Sequence, residues 1–308
     1  MELREIETFL AIVEYGTFSR AAERLGYSQS AVTVQMRQLE QELGVRLFDR
    51  VPRGAVLTEQ GRAFAFHANE IAGAVHSARR AVAAPTEGAH ELTGVIRLGS
   101  AESISTALLP ELLISFHERC PHVQVVVSAT RRERMVEGLR NNTLDLLLTM
   151  ERRVCEPGIH VEALRREPVV FVAAPHLVET LRNGGAGSER TCSPENLVGL
   201  PFVLTECGES YRLELDRLLA ERDLAITPLV EAGNTETLVH LAERGVGATF
   251  VPRFSAAAEL SRGTLVEMSC DVPAVEMESQ LLWHNRKWLA PHLAEFIATT
   301  RAFFGPGR

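Results

Sequence analysis

The chain has 308 residues, of which 45% are hydrophobic, and its formal net charge is −8 at pH 7. This length suffices for two or three domains with their own cores, and the acidic balance excludes a protein that is basic over its whole surface. Charged residues interrupt the most apolar segments, so we expect no transmembrane helix. The N-terminus, MELREIETFL, lacks the basic and apolar regions of a secretion signal, so we expect a cytoplasmic protein.

The first predicted element is an amphipathic helix that ends near Gly16. Its apolar stripe consists of Leu3, Ile6, Phe9, Leu10 and Val13. A stripe with this spacing covers one helix face, so the helix is expected to support the segment that follows it.

Residues 17–43 have the pattern of two short helices separated by a sharp turn. Thr17 and Ser28 are suitable N-cap residues, and Gly26 permits the turn between the helices. The second helix has one apolar face, formed by Val32, Met36, Leu39 and Leu43, and a polar face with Ser30, Thr33 and Arg37. Such a pair is typical of a helix-turn-helix that reads DNA.

Two short strands are predicted next, at residues 45–48 and 55–57, around a tight Val51-Pro52-Arg53-Gly54 turn. They form the wing of a winged helix, with Arg53 at its tip. A long alanine-rich helix is predicted over residues 58–84, followed by a hinge at 85–88. A helix of this length needs a partner, so a dimer seam is expected along Phe64, Ile71, Val75, Ala78 and Val82.

From residue 92 onwards, apolar strands alternate with helices. One set of strands and helices occupies residues 95–149, a second begins at residue 168, and two late strands and a final helix close the chain at 264–303. Two consecutive α/β units with a late return predict two parallel-sheet lobes joined by crossing strands.

The segment FLAIVEYGTFSRAAERLGYSQSAVTVQMRQLEQELGVRLFDR, together with Leu57, Thr58 and Gly61, resembles the N-terminal domain of the LysR-type transcriptional regulators. Thr33 stands where the family usually has serine. The likeness is sharp over residues 1–61 and diffuse over 92–303, where GNTETLVHLAERGVGATFVP resembles the second-lobe signature. It implies an α/β chain with an N-terminal winged helix-turn-helix, a long linker helix and a two-lobed, periplasmic-binding-protein-like effector domain.

The expected domains are a DNA-binding domain at 1–58, a linker or dimerisation helix with its hinge at 59–88, and an effector-binding domain at 89–308. Within the last, lobe I is predicted at about 92–164 and 270–303, and lobe II at about 165–269. The implied partners are double-stranded DNA with an imperfect palindrome, a small-molecule effector, and copies of the same chain in a homodimer and a homotetramer.

The first turns of the second helix are expected to enter the major groove. Glutamine can form a two-bond pair with adenine, threonine and valine can contact the thymine methyl group, and arginine can reach guanine or phosphate. The predicted DNA-binding residues are Gln29, Ser30, Thr33, Val34, Arg37 and Arg53. For Arg50, an internal ion pair and a phosphate contact remain equal alternatives.

In two-lobed α/β receptors, ligands bind in the cleft at strand ends and helix N-termini. The predicted effector-binding residues are Ser100, Ala101, Arg131, Arg132, Thr149, Glu206, Ser210, Asn234 and Thr235. Arg131 and Arg132 depart from the family pattern and favour an anionic effector, with a carboxylate as the expected class. The alternative is that these arginines face solvent or pair with Glu133 or Glu209.

The five cysteines show no CxxC or other metal-ligand spacing, so free thiols and neither metal nor cofactor are expected. In peroxide-sensing relatives a reactive cysteine occupies the place of Ser210. Cys207 lies three residues earlier, which leaves redox sensing as an alternative. An enzyme or a solute receptor is a further alternative. The lack of any recognised catalytic spacing opposes the enzyme, and the winged helix with the lack of a signal peptide opposes the solute receptor.

Overall fold

The computed structural model describes residues 1–51, 54–82, 89–184 and 192–305. The first module, which we call the head, begins with three helices: α1 (Leu3–Tyr15), α2 (Phe18–Leu25) and α3 (Gln29–Leu43). It ends with a hairpin of β1 (Phe48–Val51) and β2 (Gly54–Leu57). Thr17 and Ser28 cap α2 and α3 as predicted, because their hydroxyls accept from Arg20 N at 3.1 Å and Ala31 N at 3.2 Å. The backbone turns between them at Gly26, with a φ of 69°.

The head has its own apolar core, in which the predicted faces of α1 and α3 meet. Ile6, Phe9, Val32, Met36 and Leu39 are each at most 2% exposed. Full burial of a side chain of this size stabilises the fold by roughly 1.5–3 kcal/mol. This core fixes the orientation of α3, and Thr8 Oγ1 adds a hydrogen bond to Gln35 Oε1 at 2.6 Å.

A long helix, α4 (Glu59–Val82), follows the hairpin and covers the head. Its residues Ala65 and Ala68 are fully buried in the core of the head, and Phe64 and Ile71 pack on the same core. Two residues of the predicted dimer seam, Phe64 and Ile71, are half-buried against the head core, so part of each side chain remains accessible. The seam itself stays a prediction. The side chains of Ala78 and Val82 and the predicted hinge lie outside the described part of the chain.

Lobe I follows the 3₁₀ turn Ala89–Glu91. Its elements are β3 (Gly94–Ser100), α5 (Glu102–Ala107), α6 (Leu109–Arg119), β4 (Val123–Ser128), α7 (Arg132–Arg140) and β5 (Leu146–Glu151). The helical segment after β3 is divided into α5 and α6, because Pro110 stands in the first turn of α6 and favours a new helix start.

A long crossing strand, β6 (Ile159–Ala173), leads from lobe I into lobe II. Lobe II consists of α8 (Pro175–Gly184), α9 (Pro194–Val198), β7 (Val203–Leu204), α10 (Ser210–Ala220), β8 (Val230–Glu231), α11 (Thr235–Glu243), β9 (Thr249–Pro252), the 3₁₀ turn Arg253–Ala256, α12 (Ala257–Arg262) and β10 (Val266–Glu267). The chain returns to lobe I through β11 (Val275–His284) and ends with α13 (Pro291–Phe304).

The main sheet joins both lobes in the order β10-β6-β11-β5-β3-β4, with β9 also paired to β6. β3, β4 and β5 are parallel, whereas β11 runs antiparallel to both β5 and β6. In lobe II, β7 and β8 form a parallel pair. Two lobes joined by crossing strands were predicted, and this arrangement is confirmed. β6 begins well before residue 168 because it pairs with β11 from Ile159 to Val169.

The head is bound to lobe I at the beginning of β3. Val95 N donates to Glu14 Oε1 at 3.0 Å, and the Arg97 guanidinium donates to the carbonyls of Val13, at 2.8 Å, and Glu14. Burial raises the pKa of Glu14. We call this the head–lobe contact. Behind it, Asp145 accepts from Arg97 N at 2.7 Å and pairs with Lys287 Nζ at 2.8 Å.

None of the helices in the described ranges combines the length and the apolar character that crossing a bilayer requires.

Candidate DNA-binding and effector sites

The outward face of α3 carries the residues that the sequence predicted to contact DNA. Gln29, Ser30 and Arg37 are exposed, and Val34 is 50% exposed despite its apolar side chain. Thr33 is half-buried. An exposed valine between polar residues on this helix suits contact with a thymine methyl group.

Local hydrogen bonds hold several of these side chains. Thr33 Oγ1 donates to Gln29 O at 2.9 Å, so its hydroxyl remains available as an acceptor. Gln29 Oε1 accepts from Ser19 Oγ at 3.1 Å, and the hydroxyls of Ser28 and Ser30 are 2.9 Å apart. The side-chain amide nitrogen of Gln29 therefore stays free to donate to a base.

The wing is attached to the end of α1 through Ala55 N, which donates to Gly16 O at 2.9 Å. Arg53, the predicted tip of the wing, lies outside the described residues, as does the side chain of Arg50. Their proposed phosphate contacts therefore rest on the sequence.

In the effector domain, the carboxylate of Glu102 in lobe I bridges the cleft and bonds to lobe II. Glu102 Oε2 accepts from Thr235 N at 3.0 Å and from Thr235 Oγ1 at 2.6 Å. Thr235 is 1% exposed, begins α11, and lies 3.0 Å from the hydroxyl of Tyr211. The start of α11 in lobe II therefore binds a carboxylate, that of the protein's own Glu102.

Sequence reasoning missed Glu102, although it predicted both its neighbour Ala101 and its partner Thr235. The available signal was an acidic residue in the first turn of the helix after β3. Its partner across the cleft is 133 positions away along the chain, and no local pattern reports a contact at that separation.

Other predicted residues lie at the same edge of the lobes. Ser100 is 1% exposed, and Ser210 Oγ donates across the cleft to Met150 O at 3.0 Å. Asn234 caps α11 through Thr237 N at 2.8 Å. Thr149 is buried at the end of β5. Ser210 and Asn234 thus hold the end of β5 and the start of α11 in place.

The rim of the cleft is predominantly acidic. Burial raises the pKa of Glu209, and the nearby carboxylates of Glu206, Glu133 and Glu102 raise it further, whereas Arg131 opposes them. A Cβ atom added to Gly233 would lie 3.5 Å from Glu206 Oε1, which places that carboxylate beside the start of α11. Within this group, Arg131 supplies the positive charge.

Arg132 does not form the free guanidinium pair that the sequence predicted. Its Nε lies 2.6 Å from Glu151 Oε2 and its Nη2 lies 2.9 Å from Glu156 Oε1. The predicted alternative partners, Glu133 and Glu209, are replaced by carboxylates at the end of β5 and in the loop after it. Burial raises the pKa of Glu151 against the opposing effect of Arg132. Arg132 therefore joins α7 to this loop.

The five cysteines are free thiols, and Cys207 is exposed. Among the residues that the structure describes, no group of three or more His, Cys, Asp or Glu side chains could hold a metal ion.

Comparison with known families agrees with these features over both parts of the chain. A model of bacterial regulatory helix-turn-helix proteins of the lysR family matches residues 3–62, and a model of the LysR substrate binding domain matches residues 89–305. The chain belongs to the LysR family, whose members are transcription regulators and not enzymes.

Relatives extend over almost the full chain. The HTH-type transcriptional regulator YwqM of Bacillus subtilis is 29% identical over 308 residues, covering 99% of this chain and 100% of its own. CbbR of Rhodospirillum rubrum is 28% identical over 302 residues, covering 97% and 96%.

Many solved structures share the fold, among them the following two. Full-length OxyR from Pseudomonas aeruginosa has a TM-score of 0.73 at 21% identity, with 99% of this chain and 94% of that chain covered. Full-length CbnR, solved in complex with its target DNA, has a TM-score of 0.52 at 24% identity, with 99% and 100% covered.

Proposed function

We propose that this LysR-type regulator binds an imperfect palindrome in duplex DNA and that a small carboxylate in the interlobe cleft modulates its output. The observation that carries the effector proposal is the carboxylate of Glu102, held by Thr235 N and Oγ1. A ligand carboxylate of the same shape would compete with Glu102 for these donors. Ligand binding would therefore break an interlobe contact and change the lobe arrangement.

The acidic rim narrows the class of ligand. Glu206 and Glu209 lie beside the carboxylate site, so a second negative charge on the ligand would meet like charges. Hydrogen-bond donors on the ligand would instead find acceptors there. A monocarboxylate with hydroxyl, amide or ammonium groups fits this arrangement. Arg131 is the guanidinium proposed to help it, rather than Arg132, which pairs with Glu151 and Glu156.

The effector proposal is tested by thermal shift with a panel of mono- and dicarboxylates, amines and neutral analogues. A ligand at 100 times its Kd stabilises the folded state by about 2.7 kcal/mol, which is a measurable shift. We expect hits among the monocarboxylates that are lost in Thr235→Val and weakened in Ser100→Ala. Glu102→Gln should bind them more tightly, because the internal competitor has lost its charge.

Thr143→Val is the matched control, since Thr143 is exposed and precedes β5, at the end of that strand remote from Glu151. Hits confined to amines or neutral compounds would refute the carboxylate proposal. They would leave the assignment to the regulator family unchanged.

The DNA proposal is tested by sequencing the genomic fragments that the purified protein retains. We expect Thr33→Ala to change the preferred bases, because each lost base contact costs roughly 1–3 kcal/mol of discrimination. Thr299→Ala is the control: it removes a hydroxyl that donates to the carbonyl four residues earlier at 2.9 Å, as Thr33 does, but from α13. Identical fragment sets for wild type and Thr33→Ala would show that Thr33 does not read bases.

We further propose a homodimer through α4 and a homotetramer of such dimers in the cytoplasm. Phe64 and Ile71 are half-buried on the head core, and the face of α4 proposed for the partner also includes the exposed Ala63 and His67. Two recognition helices related by a twofold axis would read half-sites about one helical turn or more apart, as an imperfect palindrome requires.

A further inference from the structure

Two cysteines that are distant in sequence lie side by side at the edge of lobe II. Cys192 and Cys270 are directly opposed in an isolated parallel β-bridge. Cys192 N donates to Ser269 O at 2.7 Å, and Asp271 N donates to Cys192 O at 2.9 Å. The residues that flank Cys270 thus bind both backbone groups of Cys192. Directly opposed residues of adjacent strands have Cα atoms about 5 Å apart, within the range that disulfides bridge.

The two side chains lie on the same face, because residues paired across a β-bridge point to one side of it. Cys270 Sγ donates to Met268 O at 3.8 Å, and the Cys192 sulfur is close enough to Cys270 to affect the pKa of its thiol. Both side chains are half-buried, and Cys192 Sγ lies 3.4 Å from Ser193 O. We propose that Cys192 and Cys270 form a dithiol site that a hydroperoxide converts into a disulfide, fastening the two segments of lobe II.

The reaction balances with one hydroperoxide as the oxidant. The Cys192 thiolate attacks a peroxide oxygen, the O–O bond breaks, and a sulfenic acid and hydroxide form. The hydroxide takes up the proton that Cys192 released, which gives one water molecule when the oxidant is hydrogen peroxide. The Cys270 sulfur then attacks the sulfenic sulfur, the S–O bond breaks, and the Cys270 proton leaves with the oxygen as a second water. The two thiols together supply the two electrons.

The surroundings of the two thiols should make their oxidation slow at neutral pH. Burial raises the pKa of Cys192, and burial together with the neighbouring Cys192 raises the pKa of Cys270 to about 12. Because the thiolate is the nucleophile, the oxidation rate should increase about tenfold per pH unit over the range in which the thiols are mostly protonated.

The disulfide would connect two segments that lie far apart in the chain. Cys192 directly precedes the cap of α9, and Cys270 lies between β10 and the crossing strand β11. Most of lobe II lies between these two positions in the chain. Closing so long a loop restricts the unfolded chain, so the oxidised protein should melt roughly 5 °C higher than the reduced one.

The test uses the full chain, treated with hydrogen peroxide and then alkylated under denaturing conditions. Trypsin should release residues 191–212 linked to residues 263–286, with the mass of two hydrogens missing, and dithiothreitol should separate them. Because the first peptide also contains Cys207, the experiment is repeated in Cys207→Ser, where the link and the 5 °C shift should persist. Both should vanish in Cys270→Ser.

Alkylation of both Cys192 and Cys270 after a treatment that oxidises the exposed Cys207 would overturn the proposal. So would a link between Cys207 and either cysteine, or conversion of Cys192 to sulfinic acid without a link. A rate of link formation that does not change between pH 7 and pH 8.5 would contradict the thiolate mechanism.

Discussion

Replacing Gly61 with alanine should unfold the head and abolish DNA binding. A Cβ atom at this position would lie 2.0 Å from Leu47 O and 2.9 Å from Leu47 C. The carbonyl cannot easily retreat, because it accepts from Thr58 N at 3.0 Å, and Gly61 N donates to Thr58 Oγ1 at 2.9 Å. Overpacking typically costs about 1–3 kcal/mol, and because the clash is with backbone we expect a loss of about 3 kcal/mol or more.

Urea unfolding followed by circular dichroism, together with DNA binding, measures this effect. Gly199→Ala is the control, since Gly199 has a φ of −76° and its added Cβ would lie 3.4 Å from Asn196 O. That variant should unfold within about 0.5 kcal/mol of wild type. An unchanged urea midpoint for Gly61→Ala would show that α4 and the β1 segment separate more easily than the structure indicates.

The second large effect should come from Lys287, the only lysine in the chain. Its ammonium lies 2.8 Å from Asp145 Oδ1, with side chains 5% and 10% exposed, respectively. Lys287→Met would leave Asp145 buried beside a single weaker cation, Arg97, whose Nη1 is 4.0 Å away. Removing one partner of a buried pair costs about 3–5 kcal/mol.

Tryptophan fluorescence in urea measures this loss, because Trp283 and Trp288 flank the site in sequence. Arg166→Met is the matched control: it breaks an exposed pair with Glu276, with side chains 66% and 56% exposed, and should cost less than about 1 kcal/mol. Adding Asp145→Asn to Lys287→Met should restore part of the stability. If the double variant is no more stable than Lys287→Met, the loss does not come from an unpaired charge.

The same pair predicts a dependence on pH. Burial alone would raise the pKa of Asp145, but the Lys287 ammonium and the bond from Arg97 N outweigh it, so the pKa lies below its usual value. The stabilisation is therefore present above the unfolded-state pKa of about 4, and it is lost as the pH falls towards the folded-state pKa. In Lys287→Met this loss in acid should disappear, because burial then raises the pKa of Asp145 instead.

Local features of the fold could be predicted from the sequence because they depend on neighbouring residues. Thr17 and Ser28 are residue types that favour N-cap positions, so they predict two helix starts. The spacing of Val32, Met36 and Leu39 predicts the buried face of α3. The extent of β6 could not be predicted in this way, because its first half is stabilised only by pairing with β11.

The candidate site residues show the same difference between local features and contacts between distant segments. The positions that surround the cleft follow from strand ends, so Ser100, Thr235 and Ser210 were predicted from the order of elements. The occupant of the carboxylate site, Glu102, could not be predicted in this way. It contacts Thr235 only in the folded chain, across the two lobes. The partners of Arg132 and the Cys192–Cys270 pair are likewise contacts between distant segments, which composition and spacing do not encode.

The strand β3 touches the head at one end and the effector cleft at the other. Val95 and Arg97 hold Glu14 of the head, and Ser100 lies three residues further on, about 10 Å along an extended chain. A displacement at the cleft end of β3 is therefore transmitted along this one strand to α1, the helix that packs against α3 in the head. Reciprocity then sets a measurable constraint: if DNA prefers a head released from Val95 and Arg97, operator DNA must alter effector affinity by the same factor by which effector alters operator affinity.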